Sequence, residues 1–434
     1  MTEQSTLSES VERKSDELEE WEEVPFSSLV SEMRNGMYKK KDFYGEGCQI
    51  VKMGELFEED FITNDSSMDR LELTDTELEK HGLQPGDLLF ARRSYVREGA
   101  GKCSIVADLN EPLVPESSII KAQLNEDVVD PRFYAYYFQS LQGESKMAQI
   151  VRQTAVSGIA QSDLKEIQVA NPPKEVQERI ADNIELFDEK IKINRKLNKT
   201  LEGIVRTAFR SWFVDFDRHS ELKESEIGKI PDGWRVGTLG ELMEKVTDSV
   251  DADEVPDSEP YIGLKHMPEG SISLDTWGEA EEVSSRKYRF RRGQILFGRL
   301  RPYFCKVGVA PLEGISSTDI QIIVPKQGDV WKEFLVCYLS NQEFINYCEK
   351  VSTGTRMPRV GWDDMCDYSI AIPPEDRLQE FHKFASPIIE EMTRNIHESR
   401  KLQSVRNSLL PKLISGDIKA RDITPGGKRG SSEG

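Results

Sequence analysis

The sequence predicts an α+β protein in which two duplicated mixed α/β domains are joined by two long antiparallel helices, as a pseudo-twofold dumbbell. Two observations lead to this fold class. A strand-like motif, GDLLFAR from Gly86, returns as GQILFGR from Gly293, which indicates an internal repeat. A double proline at Pro172 and another at Pro373 are each followed by a stretch with the apolar spacing of a long helix.

The composition is typical of a globular protein with more than one domain. The chain has 434 residues, 37% of them hydrophobic and 31% charged, and a chain of this length usually forms two or three domains. No apolar run approaches the roughly 18 residues that cross a bilayer. The six cysteines and five histidines are dispersed, so we expect reduced cytoplasmic thiols, no disulfide framework and no metal site.

The first domain is predicted over residues 19–172. The segment before it, residues 1–18, is polar and acidic and lacks the apolar stretch of a signal peptide, so we expect a disordered tail. The domain begins near Trp21 and runs through short β-rich segments separated by glycine and proline. It contains the first copy of the motif and ends in a hydrophobic strand before the first double proline.

Residues 173–232 are predicted to form a long helix and a linker. A helix over residues 174–212 would be about 60 Å long. Its apolar residues form one seam: Ile180, Ile184, Phe187, Ile191, Leu201, Val205, Ala208 and Trp212. Asn194 and Asn198 fall on the same seam, and polar residues in such a seam set the register between paired helices.

The second domain, residues 233–372, repeats the first from Trp234 onward. Its motif lies 207 positions after the first motif, whereas its double proline lies 201 positions after the first one. The loops between these anchor points therefore differ in length.

A distal helix is predicted within residues 373–418, and residues 419–434 are expected to be disordered. Its seam consists of Leu378, Phe381, Ala385, Ile388, Met392, Leu402, Leu409 and Leu413. Pro387 interrupts this stretch, and we expect a break or kink there because proline removes a helical hydrogen bond.

The charge distribution is uneven. A net charge of −20 argues against a protein that coats DNA with a basic surface, yet local basic clusters can still bind phosphate or guanine. For any single residue of these clusters, a surface salt bridge is the competing interpretation. We predict DNA contact by Lys39, Lys40, Lys41, Arg92, Arg93, Tyr95, Arg97, Arg291, Arg292, Arg299, Arg301 and Tyr303.

Three segments resemble the conserved regions of the specificity (S) subunit of type I restriction-modification systems. They are PPKEVQERIA at 172–181, AFRSWFVDFD at 208–217 and RNSLLPKLISGDI at 406–418, and they occur in the order that the family has. The resemblance implies that the two domains are target-recognition domains, each reading one half of a split, asymmetric DNA site. It also implies that the helices set the gap between the half-sites.

The resemblance further implies the partners and cofactors. The partners would be double-stranded DNA, two methyltransferase (M) subunits and restriction/translocase (R) subunits, with no membrane. No cofactor is expected on this chain, because S-adenosylmethionine, ATP and Mg²⁺ would be bound by the partner subunits. We expect helix pairing or subunit assembly to involve Ile184, Phe187, Ile191, Trp212, Phe216, Ile388, Met392 and Leu409.

An enzyme is the alternative interpretation. NPPK, from Asn171 to Lys174, resembles the motif with which amino-methyltransferases hold a target amine, but the aromatic residue of that motif is missing. The repeat has IPPE, which keeps only the prolines, so the motif is better explained as a strand-to-helix junction. No glycine-rich S-adenosylmethionine loop and no G-x-x-x-x-G-K-[ST] loop accompanies it. A self-sufficient DNA modification enzyme with a diverged active site stays the second hypothesis.

Overall fold

The structure is a computed structural model, and it describes residues 21–64, 68–94, 99–152 and 157–418. The chain divides into two compact units. Unit 1 comprises the residues up to Asp188 and those from Ser404 onward, and unit 2 comprises Glu189–Gln403. Each unit therefore contains one domain of the repeat together with a part of each long helix.

Unit 1 contains short strands, short helices and the start of the first long helix. Its strands are β1 (Glu23–Pro25), β2 (Val30–Asn35), β3 (Tyr44–Val51), β4 (Phe61–Ile62), β5 (Arg70–Leu71), β6 (Leu88–Ala91), β7 (Arg93–Ser94), β8 (Cys103–Val106), β9 (Leu113–Pro115), β10 (Ile119–Leu124), β11 (Ser157–Gly158) and β12 (Gln168–Ala170). Its helices are α1 (Met53–Glu58), α2 (Asp75–His81), α3 (Pro131–Gln139), α4 (Leu141–Ile150), α5 (Gln161–Glu166) and α6 (Lys174–Phe213), the last of which continues into unit 2.

The GDLLFAR motif forms β6, the central strand of a five-stranded sheet in the order β2-β10-β6-β8-β4. All four residues of β6 are buried. Leu88 and Phe90 face the core that includes α3, whereas Leu89 and Ala91 face a second cluster, as the two-residue period of a strand requires. Three strands, β5-β3-β9, form a separate sheet, and β1 pairs with β12.

Unit 2 has a similar set of elements. Its strands are β13 (Leu222–Ser225), β14 (Gly228–Pro231), β15 (Arg235–Thr238), β16 (Met243–Val246), β17 (Ser249–Val250), β18 (Pro260–Ile262), β19 (Gly278–Glu279), β20 (Lys287–Phe290), β21 (Ile295–Gly298), β22 (Val307–Val309), β23 (Gly314–Ser316), β24 (Ile320–Pro325) and β25 (Ser369–Ile372). Its helices are α7 (Leu239–Leu242), α8 (Lys332–Leu339), α9 (Gln342–Val351), α10 (Trp362–Cys366) and α11 (Glu375–Ile414), the last of which continues into unit 1.

The topology confirms the duplicated mixed α/β fold. The sheet order β16-β24-β21-β22 in unit 2 matches β2-β10-β6-β8 in unit 1, and β15 pairs with β25 as β1 pairs with β12. Phe90 and Phe297 occupy the same place in the two central strands, and both are fully buried. Truncating either ring to alanine would cost about 3–5 kcal/mol of stability. The units differ in their outer sheets, since unit 2 has the five-stranded order β17-β20-β23-β18-β19.

The long helices begin close to where the double prolines predict. Helix α6 starts at Lys174 and α11 at Glu375, directly after the prolines, because proline suits the positions just before or at the start of a helix. The predicted break at Pro387 is wrong, since α11 is helical throughout Glu375–Ile414. An interior proline removes one backbone hydrogen bond and its ring crowds the preceding turn, but the buried Ala385 and Ile389 on either side pack into the core of unit 2.

Within unit 2 the two long helices run antiparallel, as their polar seam residues show. Asn194 is 1% exposed and donates to Ser399 Oγ at 3.2 Å, and Asn198 is 6% exposed and donates to the Met392 carbonyl at 3.0 Å. Asn395 donates to Asn198 Oδ1 at 2.9 Å. These buried amides are satisfied only in one register, because a shift would leave them without partners.

Candidate nucleic-acid interface

The first basic cluster directly follows the C-terminal end of β6, the central strand of the unit 1 sheet. The Arg92 amide donates to the Ser118 carbonyl at 2.8 Å, and the Arg92 carbonyl accepts from the Ile159 amide at 3.0 Å. The Arg92 backbone is thus held on both sides, while Arg93 is exposed. Tyr95 and Arg97, which were predicted in the same cluster, lie outside the described residues.

The structure brings the three lysines to the same end of the sheet. Met37 pairs with Glu116, and Gly36 donates to the Ile119 carbonyl at 2.8 Å. A Cβ atom on Gly36 would lie 2.1 Å from the Glu116 carbonyl oxygen, so this approach requires glycine. The segment Glu116–Ser118 therefore separates the lysine loop from Arg92. We call Tyr38–Phe43, Glu116–Ser118 and Arg92–Ser94 together the strand-end surface of unit 1.

The three lysines have different surroundings. Lys39 Nζ donates to Glu77 Oε2 at 2.8 Å and lies 4.7 Å from the centre of the Phe43 ring. The hydrogen bond from Lys39, followed by that from the Thr74 backbone, lowers the pKa of Glu77 to about 2. Lys40 and Lys41 are exposed. Lys39 thus holds the loop against α2, and the other two lysines are presented to solvent.

Tyr38 is a residue that the sequence reasoning missed. Its side chain is 78% exposed, more than that of any other large hydrophobic residue in the described part of the chain. An aromatic ring that stands in solvent beside two free lysines is suited to contact nucleic acid, because it can stack on a base or bind phosphate through its hydroxyl. The position of a tyrosine directly before the KKK run was the available signal.

In unit 2 the second basic cluster directly follows β21, the strand equivalent to β6, and its first arginine makes the same pair of backbone hydrogen bonds. The Arg299 amide donates to the Asp319 carbonyl at 2.9 Å, and the Arg299 carbonyl accepts from the Val360 amide at 3.1 Å. Arg301 has a φ of +51° and Cys305 a φ of +48°, which are uncommon for residues other than glycine. They enclose a turn that buries Pro302 and exposes the side chains of Arg301 and Tyr303.

A second loop, Thr353–Arg359, lies beside this turn and was missed from the sequence. Arg301 donates its amide to the Pro358 carbonyl at 2.8 Å. Arg359 binds both carboxylate oxygens of Asp319, at 2.9 and 3.2 Å, and Arg299 Nε lies 3.7 Å from the same carboxylate. The available signal was the sequence TGTRMPR, in which glycine and proline flank an arginine. We call Arg299–Phe304 and Thr353–Arg359 the strand-end surface of unit 2.

Arg291 and Arg292 do not share this surface. They lie in the turn before β21, where the Arg291 amide donates to Gln294 Oε1 at 2.8 Å, and both are exposed. Arg299 and Arg301 follow the other end of β21. The basic residues around this strand thus fall into two groups, separated by the four residues Ile295–Gly298.

The predicted seam residues of the helices occupy several environments. In unit 1, Ile184 is buried in the same cluster as Leu410, with Leu409 at its border and Phe187 half-buried. In unit 2, Ile191 and Met392 are buried and Ile388 borders the core. Trp212 packs on Phe381 with ring centres 5.6 Å apart, and Phe216 packs on Trp234 at 5.3 Å.

Helix α6 also carries an exposed apolar stripe, which the sequence reasoning missed. Leu186, Ile193, Leu197 and Ile204 are 48%, 58%, 40% and 45% exposed, respectively. Their spacing of seven, four and seven residues places them along one face of the helix. The seam residues, such as Ile191 and Asn194, lie on another face and are buried.

None of the described helices combines the length and the apolar character that a membrane span requires. Among the same residues, no group of three or more His, Cys, Asp or Glu side chains is arranged to hold a metal ion.

The first part of the chain matches a known protein family. Residues 19–203 match the family described as "Type I restriction modification DNA specificity domain". This segment covers the first domain and most of α6.

The chain is also similar to individual proteins. It is 24% identical to the MjaIX type I restriction enzyme specificity subunit of Methanocaldococcus jannaschii, covering 77% of this chain and 80% of that protein. It is 30% identical to the EcoKI specificity subunit of Escherichia coli over 44% of this chain and 42% of that protein. A crystal structure of the S subunit of a type I restriction-modification system from M. genitalium has a similar fold, with a TM-score of 0.55, 16% identity and coverage of 91% and 96%.

Proposed function

We propose that this chain, a member of the type I restriction-modification specificity-subunit family, reads a bipartite, asymmetric DNA site with one half assigned to each unit. The observation that carries this proposal is the duplicated strand end. Arg92 and Arg299 leave equivalent central strands and are held by equivalent backbone hydrogen bonds. Each unit therefore presents exposed basic side chains at the same place on the same frame.

The charge distribution supports local binding despite the net charge of −20. The exposed basic side chains at the two strand ends include Lys40, Lys41 and Arg93 in unit 1 and Arg301 and Arg356 in unit 2. Contacts with phosphate depend on such local patches, and arginine can also read guanine in the major groove.

The chain acts as a recognition subunit in this proposal, and catalysis belongs to its partners. Asn171, the polar residue of the NPPK motif, accepts hydrogen bonds from Tyr134 at 3.0 Å and Gln177 at 3.3 Å. The prolines lie between β12 and α6. The motif thus serves as a strand-to-helix junction, which argues against the alternative of a self-sufficient modification enzyme. S-adenosylmethionine, ATP and Mg²⁺ are assigned to the partner subunits.

The proposed protein partners are two M subunits, and R subunits that join them. The exposed stripe of α6, which contains Ile193 and Leu197, is an apolar face suited to a partner helix. Its neighbours along the helix are polar and exposed, which is the usual rim of such a contact. Because the substrate is DNA of the cell, we place the complex in the cytoplasm.

Methylome sequencing tests the proposed function. Cells that express this chain with its M subunits should methylate adenine or cytosine within a split site, whereas cells with the M subunits alone should not. Replacing residues 19–172 by the first domain of another family member should change one half of the site and keep the other. Methyl transfer by the purified chain alone, or a change of both halves, would refute the proposal.

A further inference from the structure

In addition to the strand end, the two units share a loop that is closed by a pair of backbone hydrogen bonds. In unit 1, Arg152 and Gly158 exchange backbone hydrogen bonds of 2.9 and 3.2 Å. In unit 2, Thr353 and Arg359 exchange bonds of 3.0 and 2.9 Å. Each pair closes a loop of seven residues, and the residue after each loop donates to the arginine that leaves the central strand. The same arrangement of backbone bonds has thus been kept in both copies.

The sequences of the two loops differ although their frames agree. Unit 1 has RQTAVSG and unit 2 has TGTRMPR. Backbone hydrogen bonds hold a loop without constraining its side chains, so a frame of this kind allows the tip to vary while the geometry is kept. Variable side chains on a constant frame are what two readers of different DNA sequences require. Residues 153–156 lie outside the described residues, so the inference concerns the loop of unit 2.

Backbone hydrogen bonds and a glycine turn hold the loop of unit 2 in place. Gly354 has a φ of +104°, and a Cβ there would lie 3.1 Å from the Met357 carbonyl oxygen, so glycine is needed at this turn. The Pro358 carbonyl accepts from the Arg301 amide at 2.8 Å, which ties the loop to the neighbouring turn. A preformed loop loses little conformational entropy when it binds.

The arginines of this surface divide into two classes. Asp319 engages Arg359 through both of its oxygens, and it also lies 3.7 Å from Arg299. In the described part of the chain, Arg301 and Arg356 form no ion pair; the guanidinium of Arg301 lies 3.5 Å from the Arg356 carbonyl. The Asp319 carboxylate thus engages two arginines of the surface, Arg299 and Arg359. Arg301 and Arg356 are not engaged by a carboxylate in the described part of the chain.

We propose that Arg356 and Met357 are specificity-determining residues of unit 2, with Arg356 reading one guanine edge in the major groove and Met357 packing against the neighbouring base. The inference rests on the proposed function. Arg356 is exposed, and Met357 is 47% exposed next to it. A guanidinium matches the O6 and N7 acceptors of guanine, and an apolar side chain beside it fits a thymine methyl group or a base edge. Arg299 and Arg359 position the loop instead.

The test compares methylomes of cells that express the M subunits with wild-type chain, Arg356→Ala, Met357→Ala or Arg235→Ala. Arg235 is the matched control because it is an exposed arginine of the same unit that lies on β15, outside the strand-end surface. Arg356→Ala should make one position of one half-site degenerate, with the preference for its base pair reduced on the order of 10- to 100-fold. The other half-site should stay unchanged, and Arg235→Ala should leave both halves unchanged.

The outcomes distinguish base reading by Arg356 from a phosphate contact and from failure of the proposed function. An unchanged motif with Arg356→Ala overturns the inference, and so does evenly reduced methylation of an unchanged motif, which would mean a phosphate contact.

If a variant methylates too little to define a motif, purified complex is tested with the wild-type site and with duplexes that carry single base-pair changes. If the variant complex no longer distinguishes the wild-type base pair from its replacements at one position, the inference is supported. If the variant methylates all of the duplexes less by the same factor, the inference is overturned. Absence of any split site with the wild-type chain would instead refute the proposed function.

Discussion

At the scale of single residues, the structure separates exposed basic side chains, which we propose bind DNA, from basic side chains that a neighbouring carboxylate engages. Lys39, Lys40 and Lys41 are adjacent in sequence, yet only Lys39 is paired with a carboxylate, that of Glu77. Arg299 and Arg359 are likewise engaged by Asp319. Adjacent residues of like charge on an exposed loop can therefore differ in their availability to a ligand, because a neighbouring carboxylate can form an ion pair with one of them.

The exposed lysines should determine the salt dependence of DNA binding. We expect Lys40→Gln to make the slope of log K against log salt concentration less steep by about 0.9, the value for one phosphate contact. Lys229→Gln is the matched control, since Lys229 is 67% exposed on the β13–β14 hairpin. Anisotropy of labelled duplex DNA with the purified complex over a salt series measures both slopes. A slope unchanged from wild type in Lys40→Gln would remove this lysine from the interface.

The Lys39–Glu77 pair predicts a pH dependence of stability. Glu77 has its pKa lowered from 4.5 to about 2 in the folded protein, so its stabilising contribution is present above pH 4.5 and is lost as the pH falls toward 2. The difference in free energy of unfolding between wild type and Glu77→Gln should therefore shrink over that window. Denaturant unfolding between pH 2 and 7 measures it, and a difference that is constant over this range would contradict the prediction.

At the scale of elements, two faces of α6 differ in burial. Ile191 is 4% exposed on the seam, whereas Ile193 is 58% exposed on the stripe. The seam carries the buried amides of Asn194 and Asn198, which set the register with α11. We therefore propose that the buried face serves the fold and the exposed face serves the partner.

Aspartate substitutions on the two faces should have distinct effects. Ile191→Asp places an unpaired charge in the seam, so we expect it to lower stability by about 3–5 kcal/mol and to abolish assembly with M. Ile193→Asp should leave the unfolding temperature close to wild type and weaken only the assembly. Thermal unfolding and size-exclusion chromatography with M subunits test both. Normal assembly of Ile193→Asp would exclude the stripe as the docking face.

At the scale of the whole molecule, both long helices run from one unit into the other. Helix α6 passes the unit boundary after Asp188 and α11 passes it after Gln403. A helix extends by about 1.5 Å per residue and DNA by about 3.4 Å per base pair. We therefore predict that the helices set the gap between the half-sites, as the resemblance to specificity subunits implies.

Insertions at these boundaries test that role. Adding four residues after Asp188 and four after Gln403 should lengthen each helix by roughly 6 Å and keep nearly the same faces, because four residues are close to one turn. The contacts inside each unit are left in place. Methylome mapping should then show both half-sites unchanged and a gap longer by one or two base pairs. An unchanged gap would mean that the helices do not act as a ruler.

The sequence by itself determined the repeat, the central strands and the long helices, because these depend on local periodicity and on proline placement. The burial of Phe90 and Phe297 and the start of α6 at Lys174 follow from such patterns. Pro387 shows the limit of local reasoning, since packing by Ala385 and Ile389 outweighs one missing hydrogen bond.

Only the tertiary structure decided which side chains meet. Thr353–Arg359 lies about 50 residues after Arg301 in sequence, yet backbone bonds place the two side by side. The pairing of Lys39 with Glu77 and of Arg359 with Asp319 joins residues 38 and 40 positions apart. No local pattern encodes such contacts, because they depend on how the strands are ordered in the sheet and on which loops that order brings to the same end.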